Sequence, residues 1–245
     1  MTGFCLGILE TGRPPVELIP AHGTSPDMFE ALLAPAGPSI RYRAYRVVDG
    51  ELPKSASECD GWLITGARAG VHDDEPWIAP LKMFLAEAHG VSAPIVGICF
   101  GHQILAVALG GRVENSTRGW GIGIHDYPVF EAANWMHRAV KSFAIEAMHE
   151  DQVVGLPPGA KVLAGSDHCP FALLAYGETA ISFQGHPEFT AAYARDLIAL
   201  RRGTLFSKAL ADDANASRGR PADADAVARW IANFLKLAVS RRSGR

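Results

Sequence analysis

The chain has 245 residues, 48% of them hydrophobic and 20% charged, with a formal net charge of −3. That length and apolar content suit one large α/β domain with a substantial core, and the near-balanced charge argues against a basic nucleic-acid groove or a polybasic membrane patch. Met1 to Glu10 lacks the basic flank and apolar stretch of a secretory signal, and no later run is long enough to span a bilayer, so a cytoplasmic setting is expected. Cys5, Cys59, Cys99 and Cys169 lie far apart with no CxxC pair, a spacing that indicates neither a structural zinc site nor a disulfide framework.

In chain order, Phe4 to Leu9 is a short apolar run that stops in the turn residues Thr11 to Pro15. Met28 to Leu33 reads as a short helix, and Arg43 to Val48 as a strand ended by the turn dipeptide Asp49-Gly50. Gly61 to Thr65 is a buried strand. Trp77 to His89 carries Trp77, Ile78, Leu81, Phe84, Leu85 and Ala88 at helical period. Pro94 to Ile98 is a strand running straight into a helix over about Gly101 to Leu109. Strands alternating with helices predict a mainly parallel sheet covered on both faces.

From Val113 to Gln184 the pattern changes. Ile122 to Phe130, Val153 to Val154, Lys161 to Ala164, Ala172 to Ala175 and Ala180 to Phe183 are short strand candidates between Gly, Pro and Asp, which suggests antiparallel hairpins appended to the sheet. Ala191 to Arg202 and Ala222 to Val239 are helical, with Pro221 near a helix start. Asp212 to Arg220 is small and polar and reads as an exposed loop, and the Arg241, Arg242 and Arg245 cluster as a solvated tail. With no internal repeat and no convincing linker, residues 1–245 are expected to form a single domain.

The chemistry concentrates around Gly97-Ile98-Cys99-Phe100-Gly101-His102-Gln103. A cysteine between a buried strand and a helix, with glycines two residues to either side, fits a nucleophile elbow, because side chains at those positions would collide in so sharp a turn. The helix dipole at such a position favours the thiolate, and the free N–H of Phe100 can donate to a developing oxyanion. The competing reading is a buried structural thiol beside a packed turn.

A thiol nucleophile needs a base, and the base needs an acceptor that fixes its tautomer. Gly185-His186-Pro187-Glu188 can supply both. Pro187 keeps His186 extended, and in an extended chain residues two apart share a side, so Glu188 can accept from one imidazole nitrogen while the other faces Cys99. An ordinary exposed His and Glu after a strand is the alternative, and it weakens once the elbow stands beside them.

Together these motifs resemble the class I, or triad, glutamine amidotransferases, in a freestanding branch similar to the glutaminase domains of GMP synthetases and to γ-glutamyl peptidases. The resemblance runs from about Gly61 to Phe189. It includes His149-Glu150-Asp151-Gln152-Val153 with Pro157-Pro158-Gly159, and Ser166-Asp167-His168-Cys169-Pro170-Phe171-Ala172, similar to the Cys-Pro-Phe-Ala segment of the GMP-synthetase branch. It implies a flavodoxin-like three-layer sandwich, with a central mostly parallel sheet, helices on both faces and a small antiparallel extension. It also implies a catalytic set of Cys99, His186 and Glu188, an oxyanion hole from Gly66-Ala67 and Phe100, and substrate contacts at Gln103, Trp120 and His149. Many relatives have a second glycine where Ala67 stands; only a backbone donor is needed there. His102, on the first helical turn, is assigned a structural role.

Several other features are read differently from what their spelling first suggests. Gly119-Trp120-Gly121-Ile122-Gly123 does not open a helix after a strand, which argues against a dinucleotide site, and the resemblance instead makes it a substrate-side loop with Trp120 as a wall. Asn115-Ser116-Thr117 and Asn215-Ala216-Ser217 fit a glycosylation spelling that a cytoplasmic chain would not use. His22, His72, His89, His125 and His137 have no metal-ligand spacing, so no metal or other cofactor is expected. The expected reaction is thiol-dependent hydrolysis of a γ-glutamyl amide, in a glutaminase subunit that passes ammonia to a synthetase partner or in a freestanding γ-glutamyl peptidase. The expected ligand is a small molecule, with no nucleic acid or membrane. A non-catalytic module and a thiol-dependent α/β-hydrolase remain as alternatives, the latter normally placing its acid well ahead of the histidine.

Overall fold

The computed structural model describes residues 3–36, 40–136 and 140–243. His137 and Arg245 lie outside those residues. The first strand, β1 (Phe4–Leu9), runs as the apolar pattern predicts, and is followed by the short helix α1 (Ile19–His22) and by α2 (Ser25–Leu33). Thr24 caps α2 in a capping box, its N–H donating to Asp27 Oδ2 at 2.8 Å while Asp27 N–H donates back to Thr24 Oγ1 at 3.4 Å. The second strand, β2 (Ile40–Tyr45), ends earlier than the sequence suggests: Val47–Asp49 is a turn of 3₁₀ helix, closed by Gly50 at φ 87°. Val47 satisfies its β-branched character by burial, not by pairing.

Next come β3 (Gly61–Ile64), α3 (Ile78–Gly90), β4 (Ile95–Ile98) and α4 (Phe100–Ala108). The middle of the chain holds β5 (Arg112–Asn115), β6 (Gly121–Pro128), β7 (Ser142–His149), β8 (Asp151–Gly155), β9 (Ala160–Ala164), β10 (Leu173–Tyr176) and β11 (Ala180–Phe183). Three helices complete it: α5 (Ala191–Arg201), α6 (Lys208–Ala216) and α7 (Ala224–Ser243).

The main sheet is seven-stranded in the order β2-β1-β3-β4-β11-β10-β9. Its first five strands are mutually parallel, and β10 and β9 extend it antiparallel. The parallel part has the 2-1-3-4-5 order of doubly wound α/β sheets. Each central strand is buried on both faces, and alternate residues serve opposite cores. Leu63, Val96, Ile98, Ile181 and Phe183 face a core closed by α2, α7 and the β6–β7 ribbon. Trp62, Ile64, Ile95, Leu174 and Ala180 face one closed by α3 and α4. The fold is therefore the expected α/β sandwich with a mostly parallel sheet between helices. The hairpins are more independent than expected, because β5–β8 and β6–β7 form two separate antiparallel ribbons.

The segment Asp212 to Arg220 is not an exposed loop. Ser207 caps α6, accepting from Leu210 N–H at 3.1 Å, and Ala211 and Ala214 are buried in a third cluster with Ile122, Leu197 and Phe206. A 3₁₀ turn over Ser217–Gly219 comes next, with Ile124 N–H donating to Ser217 Oγ at 2.8 Å. Asp212, Asp213 and Asn215 face water, Arg218 turns inward, and the alanines between them favour a helix and leave room for close packing. Of the basic tail, Arg241 lies within α7 and pairs with Glu178 at 2.9 Å.

The docking of α6 can be tested directly. Ala214→Leu, which overfills the buried face, is expected to destabilise the protein by about 1–3 kcal/mol. Ala216→Leu, on the exposed face, should stay within about 0.5 kcal/mol. Urea unfolding midpoints of the two variants decide between a packed helix and a solvated loop.

Candidate active site

Cys99 stands where β4 ends and α4 begins, with φ 53° and ψ −104°. That backbone conformation costs a non-glycine residue about 1–3 kcal/mol and persists only where its surroundings impose it. The two flanking glycines are what allow it. A Cβ on Gly97 would stand 2.4 Å from the carbonyl oxygen of Gly101, and a Cβ on Gly101 would stand 2.4 Å from that of Ile64. Strand β4, its following helix and neighbouring β3 thus meet backbone to backbone. The Cys99 N–H donates to Phe183 O at 2.8 Å, which ties the turn to β11. Phe100 opens α4, so its N–H has no intrahelical acceptor.

His186 reaches the same place from the end of β11. Its backbone N–H donates to Glu146 O on β7 at 2.7 Å, an isolated bridge that holds it extended as the following proline suggests. Its Nδ1 lies 2.7 Å from Glu188 Oε1, and the ring stacks on Phe189 with centroids 4.0 Å apart at 13°. A Cβ on Gly66 would come within 2.8 Å of His186 Cε1 and 3.7 Å of Cys99 Cβ. Gly66 therefore sits against both side chains, and sulfur, imidazole and carboxylate share one buried corner. Burial opposes the imidazolium there, but the charges of Cys99 and Glu188 and hydrogen bonds to both outweigh it, and the His186 pKa is raised to about 10.

The Gly66-Ala67 peptide is oriented by hydroxyls. Its carbonyl accepts from Thr65 Oγ1 at 3.2 Å and Thr11 Oγ1 at 3.3 Å. In a trans peptide the N–H points the opposite way, so that of Ala67 faces away from the threonines.

Gly66, Ala67, Cys99, Gln103, Trp120, His149, His186 and Glu188 all line one cavity of about 420 Å³. Phe100, also expected in the site, is not among the residues lining this cavity, and its ring packs on Trp77 at 5.3 Å. Gln103 turns its amide inward, with Nε2 donating to Asp151 O at 2.7 Å and Gln184 Oε1 at 3.2 Å. Trp120 packs edge-on against Phe206 at 5.1 Å. His149 is buried, and neither ring nitrogen has a partner among the described residues; burial, with the neighbouring histidines, holds its pKa well below the ordinary value. His102 turns to the sheet, its Nδ1 2.8 Å from Ser182 Oγ, and burial lowers its pKa to about 3. Among the described residues, no group of three or more His, Cys, Asp or Glu side chains could hold a metal.

Some contributors went unnoticed in the sequence. Gln184 Nε2 lies 3.7 Å from Cys99 Sγ, and the Met148 carbonyl 3.9 Å from it. Gln184 stands directly before Gly185-His186, a position that could have been flagged; Met148 gives no such signal. Glu146, whose carbonyl holds His186, is buried on β7 and forms a two-pronged ion pair with Arg218, each arm 2.7 Å. Arg218 belongs to the very segment that composition assigned to solvent.

The glutamine amidotransferase class-I family profile matches residues 41–199. The chain belongs to the class I glutamine amidotransferases. It is 29% identical over 245 residues to a glutamine amidotransferase-like protein of Schizosaccharomyces pombe, covering 95% of this chain and 98% of that one. It is 34% identical to gamma-glutamyl peptidase 5 of Arabidopsis thaliana over 59% of this chain and 61% of the peptidase. The crystal structure of a glutamine amidotransferase from Methylobacillus flagellatus superposes with a TM-score of 0.72 at 20% identity, over 99% of this chain and 95% of the other.

Two measurements probe this corner. The His186 pKa lies above its unfolded value of about 6.5, so the stability gained from its charge is fully present below that pH and is lost as pH rises through about 10. Glu188→Gln keeps an acceptor but removes a charge, so the loss should begin at lower pH in a plot of thermal midpoint against pH. Arg218→Met strands Glu146 in the core and should cost about 3–5 kcal/mol. Adding Glu146→Met should recover much of that loss in a double-mutant cycle by urea unfolding.

Proposed function

We propose that the chain hydrolyses a γ-glutamyl amide through a thioester on Cys99. The observation that carries this reading is the convergence of the strained, glycine-flanked Cys99 with the His186–Glu188 pair in one cavity. The Cys99 thiolate attacks the side-chain carbonyl carbon, and the N–H groups of Phe100 and Ala67 donate to the oxyanion. The raised pKa of His186 keeps its imidazolium available, and it hands its proton to the departing amine as the C–N bond breaks. The neutral imidazole then deprotonates a water that attacks the thioester, releasing glutamate and regenerating the thiolate. Glu188, bonded to Nδ1, holds the ring so that Nε2 faces the sulfur and stabilises its positive form. Loss of one oxyanion donor in such a site costs about 3 kcal/mol of barrier.

On this reading residues 1–245 act as one domain, with the cavity holding the donor and needing no cofactor. The family supports glutamine as a donor, with ammonia passed to a synthetase subunit. Resemblance to a gamma-glutamyl peptidase supports a peptide donor, as does a cavity in the size range that encloses drug-sized ligands.

Purified protein offered glutamine and γ-glutamyl dipeptides should release glutamate, and Cys99→Ala should reduce that release by about a thousandfold or more. Mass spectrometry of a rapidly quenched reaction should find the glutamyl group on Cys99. Undiminished turnover in Cys99→Ala would refute the assignment.

A further inference from the structure

The two ends of the cavity differ in charge. At one end Gln103 reaches the Asp151 carbonyl, and the carboxylates of Asp73 and Asp151 close around Gly70, where a Cβ would stand 3.3 Å from an oxygen of each. The other end is built by α5, which presents Tyr193, Leu197 and Arg201 at four-residue spacing to the same space. This wall begins at the imidazole: Phe189 stacks on His186 and meets the edge of Tyr193 at 4.6 Å. It ends at Arg201, whose Nη1 rests 3.7 Å from Met148 Sδ.

Arg201 has no carboxylate partner among the described residues, and neither has Arg68, which lines the same cavity one residue beyond Ala67. Burial, and then the charge of nearby Arg68, push the Arg201 pKa down, so two cations without an ion-pair partner among the described residues line one cavity. Guanidinium groups so placed match a carboxylate, which they bind as a planar fork.

Building on the γ-glutamyl hydrolase reading, we propose that Arg201, aided by Arg68, binds a carboxylate on the amine side of the scissile amide, so that the preferred substrate is a γ-glutamyl amino acid or peptide. The leaving amine takes its proton from His186, which is where the α5 wall starts. From there the wall offers apolar surface at Phe189, Tyr193 and Leu197, then cationic charge, the order in which an amino acid presents its side chain and carboxylate. The acidic end complements the ammonium group of the glutamyl half. Glutamine has no second carboxylate and leaves the arginines unmatched.

The test compares kcat/KM for γ-glutamylglycine with that for γ-glutamylglycinamide, which differ only in the carboxylate. Wild-type protein should favour the acid by about tenfold to a hundredfold, the usual range for a charge-assisted contact. Arg201→Gln should bring that ratio towards one, Arg201→Lys should retain part of it, and Arg68→Gln, on an exposed loop, should lower it by a smaller factor. A wild-type ratio near one, with both compounds hydrolysed, overturns this proposal and leaves the hydrolase reading standing. An equal loss on glutamine, the acid and the amide in Arg201→Gln would put the arginine on the α-carboxylate of the glutamyl group, and also overturns it. No turnover of any γ-glutamyl compound sinks both.

Discussion

The site depends on parallel pairing of β3, β4 and β11. Ile64 lies beside Gly97, and Gly97 beside Ser182, so three strands far apart in sequence end together at one edge. The segments that leave those strand ends are then brought within side-chain reach: Thr65-Gly66-Ala67 after β3, Cys99 after β4, Gln184-Gly185-His186 after β11. Antiparallel insertion of any one would carry its residues to the opposite edge, more than a strand's length away. Because every residue in these strands is buried, a one-residue slip would drive side chains into the wrong core, and the register is accordingly well determined.

Convergence alone would leave charged groups buried at a high cost in solvation. The protein answers by pairing several of them, although Glu188 Oε2 has no partner among the described residues. Glu188 holds one nitrogen of His186, the ring of Phe189 lies against the imidazole face, and the His186 N–H is bonded to the Glu146 carbonyl. Glu146 in turn would be an uncompensated charge but for Arg218. A chain of contacts therefore runs from the 3₁₀ turn after α6 to the imidazole, and each link is short enough to fix the next. The same ribbon is held a second time, where Asp223 accepts from Ala144 N–H at 2.8 Å ahead of α7.

These two levels of organisation differ in how far the sequence reveals them. The elbow could be read because its requirement is local and steric: two glycines at fixed distances from a cysteine announce the backbone approach that the structure contains. The His186–Glu188 pairing could be read because proline and strand geometry set it within four residues. The parallel sheet followed from alternation of apolar runs. By contrast β7 escaped notice because Glu146 interrupts its apolar pattern, and the residue that neutralises it is 72 positions away. Composition placed Asp212 to Arg220 in an exposed loop because most of those residues are small and polar, while Ala211 and Ala214 carry the packing of α6. Where a side chain's environment is supplied by a distant segment, local pattern says little about it.

The division has a counterpart in the family match. Cys99, His186 and Glu188 fall within residues 41–199, whereas Arg201 and Arg218 lie past its end. The edge of a parallel sheet offers little freedom, since any change there disturbs paired backbone and a strained turn. Most of α5 still lies inside the match, and the α6 segment beyond it packs on the β6–β7 ribbon through side chains such as those of Ser217 and Arg218. Arg218 shows that this outer layer still bears on the imidazole through Glu146, and Arg201 that it forms the far wall of the cavity. A fold arranged this way can keep the geometry of its sheet edge while the cavity wall takes on a different charge and shape.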